Sequence, residues 1–495
     1  MMNVFARPTS DEWFFIGIIS FLVFMLIIAA ELVRRLMNGN SEYTRKFVHV
    51  VVGILMAFAP FVFTSGIPAI LISIIAIVGT FVAGQTNVLQ SLHATDRISY
   101  GTTLHPLAFL ILVLTLWDRA PHILSLSILI LAVPDVLAAL TGKFVRTPHY
   151  FGFSSDKKTV EGSVVMFVST TLLIMAYFAY GNYETPFPWI FIAIATAVVV
   201  STWEMVCTHG LDNLTIPLSA AFMLHYFLIS EPHHLPEQMM TALVFATVIA
   251  IVSHRFNFLS PSGSIAAFLL AVIVYGIGGW IWTFPLLIFF ITSSLLSKFG
   301  IKRKKHLENV FDKTDKRDAG QVAANGGVAG MLMLLWYFFP DRTEFYYCFV
   351  ASIAAVTADT WGTEIGTFVS GKPRSIISFK SVNIGTSGGV SIIGILGGAL
   401  GAFLIVVSST VFNQAQVPSS LIISVVVSGI FGSLIDSIFG ATVQAQYVTV
   451  AGTMTEKIVL DGVSTTLHRG YSWITNDVVN LICGLSGAVL MYLLL

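Results

Sequence analysis

Long apolar runs follow one another along almost the whole chain, separated by short polar connections. With about 20 apolar residues needed for each membrane crossing, the pattern predicts about sixteen helices. They centre on residues 14–36, 47–63, 68–84, 103–117, 122–141, 163–180, 187–206, 214–229, 238–253, 262–276, 280–297, 323–339, 344–368, 388–408, 419–440 and 474–494. The expected class is all-α: a polytopic integral membrane protein built from two related halves that run parallel. The first run, Trp13 to Leu36, is too long for a signal-peptide core and ends on Arg34-Arg35 instead of a small-residue cleavage site, so it is expected to stay as the first helix.

Composition agrees. Of 495 residues 56% are hydrophobic and only 11% charged, against about 25% charged in soluble domains. Lys and Arg number 26 and so do Asp and Glu, which leaves no basic excess to favour nucleic acid. The distribution of charge is more informative than its sum. If Arg34-Arg35 lies inside and the helices alternate, only Arg7, Arg119 and Arg342 fall outside, leaving 23 of the 26 basic residues inside, as the positive-inside rule requires. This predicts an inner (cytoplasmic) membrane protein whose polar motifs face the cytoplasm. Cys207, Cys348 and Cys483 show no paired spacing, which indicates neither a disulfide framework nor a zinc site. P-loop, protein-kinase, HExxH and GxSxG signatures are absent, so any nucleotide chemistry would use a different architecture.

The chain also repeats itself. Asp135 is followed at +7 by Gly142 and at +28 by Ser163, and Asp359 at +7 by Gly366 and at +28 by Ser387. After each Asp comes a basic loop, with Lys143, Arg146, Lys157 and Lys158 in one case and Lys372, Arg374 and Lys380 in the other. A small-residue turn then opens the next helix: Thr159, Glu161, Gly162 and Ser163, or Thr386, Ser387, Gly388 and Gly389. The following inward helix carries Glu204 or Asp436, and a last helix starts at Asp212-Asn213 or Asn476-Asp477. The two Asp helices are the fifth and the thirteenth, an even separation, so the repeats are parallel. The expected domains are 1–257 and 258–495.

An ionised carboxylate at membrane depth costs about 2.5 to 3.5 kcal/mol on the insertion scale and marks a functional candidate. Asp135, Asp359 and Asp436 lie among small neighbours, which leave room for a ligand but equally permit tight helix packing. The two small-residue turns suit phosphate at a helix N-terminus, although Ser and Thr are also ordinary N-caps. Arg45, Lys46 and His49 open the second helix, either as site residues or as interfacial anchors. Gln321 and Asn325, one turn apart, are either site residues or helix glue, and the Gly394, Gly397, Gly398, Gly401 series reads as close packing. A parallel-repeat transporter with these carboxylates as ion or proton sites is the alternative class.

Arg45-Lys46-x-x-His49, Pro134-Asp135, Gly142, Lys158-Thr159-x-Glu161-Gly162-Ser163, Glu204 and Asp212-Asn213 together resemble the phytol kinase and dolichol kinase family of membrane polyprenol kinases. Gln321, Asn325-Gly326-Gly327, Asp359, Glu364, Gly366, Asp436 and Asn476-Asp477-x-x-Asn480 look like the phytyl-phosphate kinase family. The resemblance implies phosphorylation of a phytol- or geranylgeraniol-like alcohol by the first half and of its monophosphate by the second. It further implies CTP as phosphoryl donor, with ATP or another nucleotide as alternatives, and Mg²⁺ at Asp135, Asp359 and Asp436. On the same basis Gly142, Lys157 to Thr159, Glu161 to Ser163, Gly366, Lys380 and Thr386 to Gly389 would bind nucleotide or phosphate, and the remaining polar motif residues would be catalytic. The first half has Lys158-Thr159 where that family leads one to expect Lys-Ser. One active half supported by a silent one is a further arrangement the sequence allows, and it leaves the oligomeric state open.

Overall fold

The computed structural model describes residues 4–36, 41–86, 100–151, 158–181, 183–185, 187–229, 235–304, 316–368, 372–412, 417–449, 452, 454–460 and 463–495. Among these, eleven helical spans are long and apolar enough to cross a membrane. Large apolar side chains such as Phe14, Phe21, Ile75, Leu172, Ile251 and Ile423 are exposed around the helices, as in a protein whose solvent is lipid. The chain divides into two compact units, Met1–Pro236 and Glu237–Leu495.

The first unit holds α1 (Ser10–Leu36), α2 (Ser41–Val62), α3 (Ile67–Thr86), α4 (Gly101–Leu116), α5 (Pro121–Ala132), α6 (Pro134–Phe144), α7 (Val160–Gly181), α8 (Trp189–Val206) and α9 (Asp212–Leu228). A capping box starts α1: the Glu12 amide donates to Thr9 Oγ1 at 3.2 Å and the Thr9 amide to Glu12 Oε2 at 2.8 Å. The other Glu12 oxygen accepts from the Thr64 amide and hydroxyl at 2.6 and 2.8 Å, tying α1 to the α2–α3 turn. One helix was expected over 122–141, but Pro134 cannot donate to the preceding turn. The chain therefore stops at Ala132 and restarts with Pro134 in the first turn of α6, which puts Asp135 where the helix dipole favours a carboxylate. The core of the unit is α5, whose Ile123, Leu124, Leu126, Ile128, Ile130 and Leu131 are almost wholly buried and which packs on α2 and α9.

The second unit holds α10 (Pro236–Arg255), α11 (Pro261–Lys304), α12 (Ala319–Phe338), α13 (Glu344–Phe368), α14 (Ile392–Ser409), α15 (Ile422–Thr442) and α16 (Asn476–Leu493). The helical run of α11 is broken at Gly279, whose φ of 59° only glycine adopts freely. Its two arms fold back on each other, since Gly263 at one end packs on the Arg317 backbone while Lys298 near the other lies 4.0 Å over the Phe258 ring. The break frees carbonyls, and Gln238 of α10 donates to those of Tyr275 and Gly276 at 3.1 and 3.2 Å. This packing places α10 in the second unit, so the division falls about one helix before the expected 257/258 join. At the centre is α13, buried without interruption from Cys348 to Ala358 and in contact with α11, α12, α14, α15 and α16.

Three small antiparallel sheets decorate this unit. β1 (Arg374–Ser375) pairs with β2 (Gly389–Val390), β3 (Gln446–Val448) lies between β4 (Met454–Thr455) and β7 (Thr466–Arg469), and β5 (Val459–Leu460) pairs with β6 (Val463–Ser464). Hydropathy treats the stretch between α15 and α16 as a mere connection; it is a folded cap.

Candidate functional sites

In the first unit the polar ends of α2, α6, α7, α8 and α9 converge. Lys46 Nζ donates to Asp135 Oδ2 at 2.7 Å. Lys158 Nζ bridges Glu204 Oε1 at 2.9 Å and Asp212 Oδ2 at 2.7 Å, and Ser163 Oγ donates to the other Glu204 oxygen at 2.9 Å. Burial would lower the Lys158 ammonium, but the Asp212 and Glu204 carboxylates outweigh it and hold the group well above the usual lysine value. Asn213 donates through Nδ2 to Asp212 Oδ1 at 3.1 Å. Glu161 reaches back to His149, with Oε1 2.6 Å from Nδ1, and so clasps the loop before α7. Arg45 Nε is buried without a hydrogen bond among the described residues, His49 Nε2 lies 3.4 Å from the Leu131 carbonyl, and Lys157 falls outside the described residues. His105, which sequence motifs did not single out, packs against His49 with ring centroids 4.5 Å apart and its Nε2 buried and unbonded among the described residues.

Gly142 and Gly162 act through space rather than charge. Thr159 Oγ1 caps α7 by accepting from the Gly162 amide at 3.1 Å. A Cβ on Gly142 would lie 2.7 Å from that oxygen, and one on Gly162 would lie 3.0 Å from the Ala138 carbonyl. The second unit contains the same device: Ser391 Oγ caps α14 through the Gly394 amide at 3.0 Å. Cβ atoms on Gly366 and Gly394 would meet Ser391 Oγ at 3.1 Å and the Gly362 carbonyl at 2.9 Å. Ala138 and Gly362 each stand three residues after the Asp. The structural partner of Thr159 is therefore Ser391, not a residue of the Thr386–Gly389 turn, and the equal +28 spacing of Ser163 and Ser387 is not the spatial register. Thr386, Ser387 and Gly388 lie in the β1–β2 connection and Gly389 opens β2, so none of them forms the N-terminus of α14, because the loop after α13 is eight residues longer than the loop after α6 and spends them on the hairpin.

That hairpin roofs a cavity of about 610 Å³ in the second unit. Asp359, Asp436, Glu364, Gln321, Asn325, Asn476 and Asn480 all line it, as do Gly366 and Thr386 to Gly389. Ser433 Oγ is 3.5 Å from Asp359 Oδ1, and Asp436 Oδ2 is buried with no hydrogen bond among the described residues. Glu364 accepts from Ser297 Oγ at 3.0 Å, while Asn325 Nδ2 donates to the Gln321 carbonyl at 2.9 Å. Asp477 stands in the first turn of α16 beside this lining. Lys380, whose carbonyl accepts from the Ser375 amide of β1, is exposed and does not line the cavity, so the cavity gives no support to its expected phosphate role.

The positive charge comes from elsewhere: Lys298, Arg317 and Lys457. Burial pulls the Arg317 guanidinium down to about 10, against the pull of Glu364, and it lies 5.6 Å from the Phe289 ring without a hydrogen bond from its guanidinium to the described residues. Lys298 and Arg317 end a lysine-rich stretch that reads as a plain inside loop, and only the folding back of α11 brings them together. Ser433, one turn before Asp436, was the one missed residue with a periodicity signal. Ser387, Gln444 and Glu456 form a chain of hydrogen bonds of 2.9 Å each across the cap.

Among the described residues, no group of three or more His, Cys, Asp or Glu forms a metal cage. Two adjacent carboxylates with an unbonded buried oxygen nevertheless call for a cation, and Mg²⁺ characteristically takes one or two carboxylates and completes its shell with water and phosphate oxygens. Asp359 and Asp436 fit that requirement. Asp135, already bonded to Lys46, offers less.

Comparison with known proteins adds the following. Residues 244–488 match a family model described as integral membrane protein DUF92. The chain is 31% identical to Protein PGR of Arabidopsis thaliana over 225 residues, covering 41% of this chain and 78% of that protein. It is 30% identical to a phytol kinase of Synechocystis sp. over 232 residues, 45% of this chain and 93% of that one. Protein VTE6, chloroplastic, of Arabidopsis thaliana is 25% identical over 232 residues, 45% and 61% of the respective chains. No solved structure matches.

Proposed function

The chain belongs to the DUF92 family of integral membrane proteins, and on that premise we propose that it is a membrane phosphotransferase acting on isoprenoid lipids. The first unit phosphorylates a prenol and the second phosphorylates the resulting prenyl monophosphate, each from a nucleoside triphosphate, with CTP the leading donor. The similarity to a protein named phytol kinase supports the substrate class. The observation that carries the reading is the cavity of the second unit, where a carboxylate pair and the basic groups Arg317 and Lys298 line one space at the polar end of apolar helices.

Phosphoryl transfer needs positioning and charge stabilisation more than covalent help from the protein. In the second unit an ionised oxygen of the prenyl monophosphate attacks the terminal phosphorus of the nucleotide, the bond to the bridging oxygen breaks, and a nucleoside diphosphate leaves. Arg317 and Lys298 hold phosphate oxygens, and Gln321 and Asn325 orient them. A Mg²⁺ held by Asp359 and Asp436 would neutralise phosphate charge. In the first unit the acceptor is a hydroxyl, whose proton needs a base. His105, packed against His49 one turn of α2 beyond Lys46, is the candidate.

The test is to incubate the detergent-solubilised chain with labelled nucleotide and a 20-carbon prenol or its monophosphate, then separate the lipids by thin-layer chromatography. Labelled monophosphate and diphosphate are expected. Absence of any phosphorylated lipid, with uptake of an ion or solute into proteoliposomes instead, would replace the kinase with a transporter.

A further inference from the structure

The cavity of the second unit is flanked by α14 and α15, which meet near their middles, and by the hairpin, which closes on α15 at the polar end. Toward the middle of the helices α14 meets α15 where a Cβ on Gly429 would lie 3.0 Å from Ala402 Cβ. At the polar end the hairpin closes on α15, where a Cβ on Gly388 would lie 2.7 Å from the Ser437 carbonyl. From Gly429 to Ser437 is eight residues, or about 12 Å at about 1.5 Å per residue. Within that interval the cavity is lined by Ile395 and Gly398 of α14 and by Ile430 and Leu434 of α15. Ile395 lines the cavity and is 40% exposed, as a residue at its mouth would be. Its neighbours on the outer surface are apolar: Ile392, Leu396, Val427 and Phe431 are all exposed, and both helices qualify as membrane spans. The mouth therefore opens onto lipid, whereas exposed Thr386 marks the opening on the polar side.

We propose that the window between α14 and α15, framed by Ile395, Ile430 and Leu434, is where the isoprenoid chain of the substrate passes from the cavity into the bilayer. This rests on the lipid-kinase reading of the same cavity. Three observations favour an isoprenoid tail as occupant. The window is continuous with the cavity whose Arg317 and Lys298 would hold the phosphate end, its lips are aliphatic, and its height of about 12 Å suits a hydrocarbon chain. Specificity would then fall on the second isoprene unit from the phosphate, which contacts the lips, while the first unit stays inside the cavity and more distal units lie in lipid.

The experiment uses the full chain in nanodiscs with a 20-carbon prenyl monophosphate carrying a diazirine in its second isoprene unit. Crosslinks are expected on peptides containing Ile395, Ile430 or Leu434, displaced by unlabelled prenyl monophosphate. Crosslinks on α12 or α16, or none in the cavity, would overturn the window whether or not the protein is a kinase. In parallel, Ile395→Trp and Leu434→Trp should raise the KM for the 20-carbon monophosphate at least tenfold and leave the KM for a 5-carbon analogue and for the nucleotide unchanged. Leu396→Trp, one position along and facing lipid, should change neither. Equal effects on both chain lengths would refute the window while leaving the kinase reading intact. A parent protein that makes no diphosphate would remove the kinase reading, and the crosslinking pattern would still decide where the tail lies.

Discussion

Replacing Lys158 by Met distinguishes a structural hub from a phosphate grip. Its ammonium sits 2.9 Å from Glu204 and 2.7 Å from Asp212, with side chains only 15%, 8% and 15% exposed. At an effective dielectric of about 20, each contact carries about 6 kcal/mol of attraction, much of it offset by the cost of taking three charges out of water. Methionine keeps the length of the stem but leaves two buried carboxylates facing each other. Breaking a buried pair in this way costs about 3–5 kcal/mol, or on the order of 10 °C in Tm for a unit of this size. The triple variant Lys158→Met, Glu204→Gln, Asp212→Asn should recover most of that loss, because no unpaired charge remains. The pH dependence has a definite sign. A lysine held above its ordinary value stabilises fully below that value and loses the contribution only as pH rises through the folded one, so this interaction leaves the parent flat between about pH 6 and 9. Thermal unfolding in detergent followed by tryptophan fluorescence measures all three. An unchanged Tm together with a raised nucleotide KM would refute the hub and make Lys158 a phosphate ligand.

Asp359→Asn should stop the chain at prenyl monophosphate, whereas Asp135→Asn should block use of the alcohol yet still convert added monophosphate. Loss of both steps in either variant, read by thin-layer analysis, would mean one composite site. Arg317→Met should raise the KM of a phosphorylated substrate at least tenfold with Tm unchanged or higher, since a buried cation is removed; unaltered kinetics would take Arg317 out of the phosphate site. Gly398→Ala should cost about 1–3 kcal/mol, because its Cβ would stand 2.7 Å from the Ala358 carbonyl, whereas Gly17→Ala, with nothing within 4 Å, should leave thermal unfolding unmoved.

Much of this architecture is legible in the chain because a bilayer imposes a coarse rule. Every spanning segment must satisfy its own backbone and be apolar over a known length, so hydropathy alone reveals a helical membrane protein, and the rarity of charge at membrane depth singles out Asp135, Asp359 and Asp436. The sharing of a Gly–cap–Gly device by the two units also left a trace, in the +7 glycines. What periodicity could not supply was register across loops of different length. Equal offsets pointed to Ser387, but the longer hairpin moves the capping role to Ser391, since a cap is defined by where the backbone turns and not by distance from an Asp. Nor could a linear reading say which cations face which carboxylates. Lys158 looked like a free phosphate ligand and is enclosed by Glu204 and Asp212; Arg317 looked like loop charge and lines the cavity; Lys380 carried the expected charge and lies outside the cavity lining. Pairing of charges depends on separations of a few ångströms between residues tens of positions apart, and only the folding back of α11, the convergence of α7 to α9 and the packing of the hairpin on α15 bring those residues within that range.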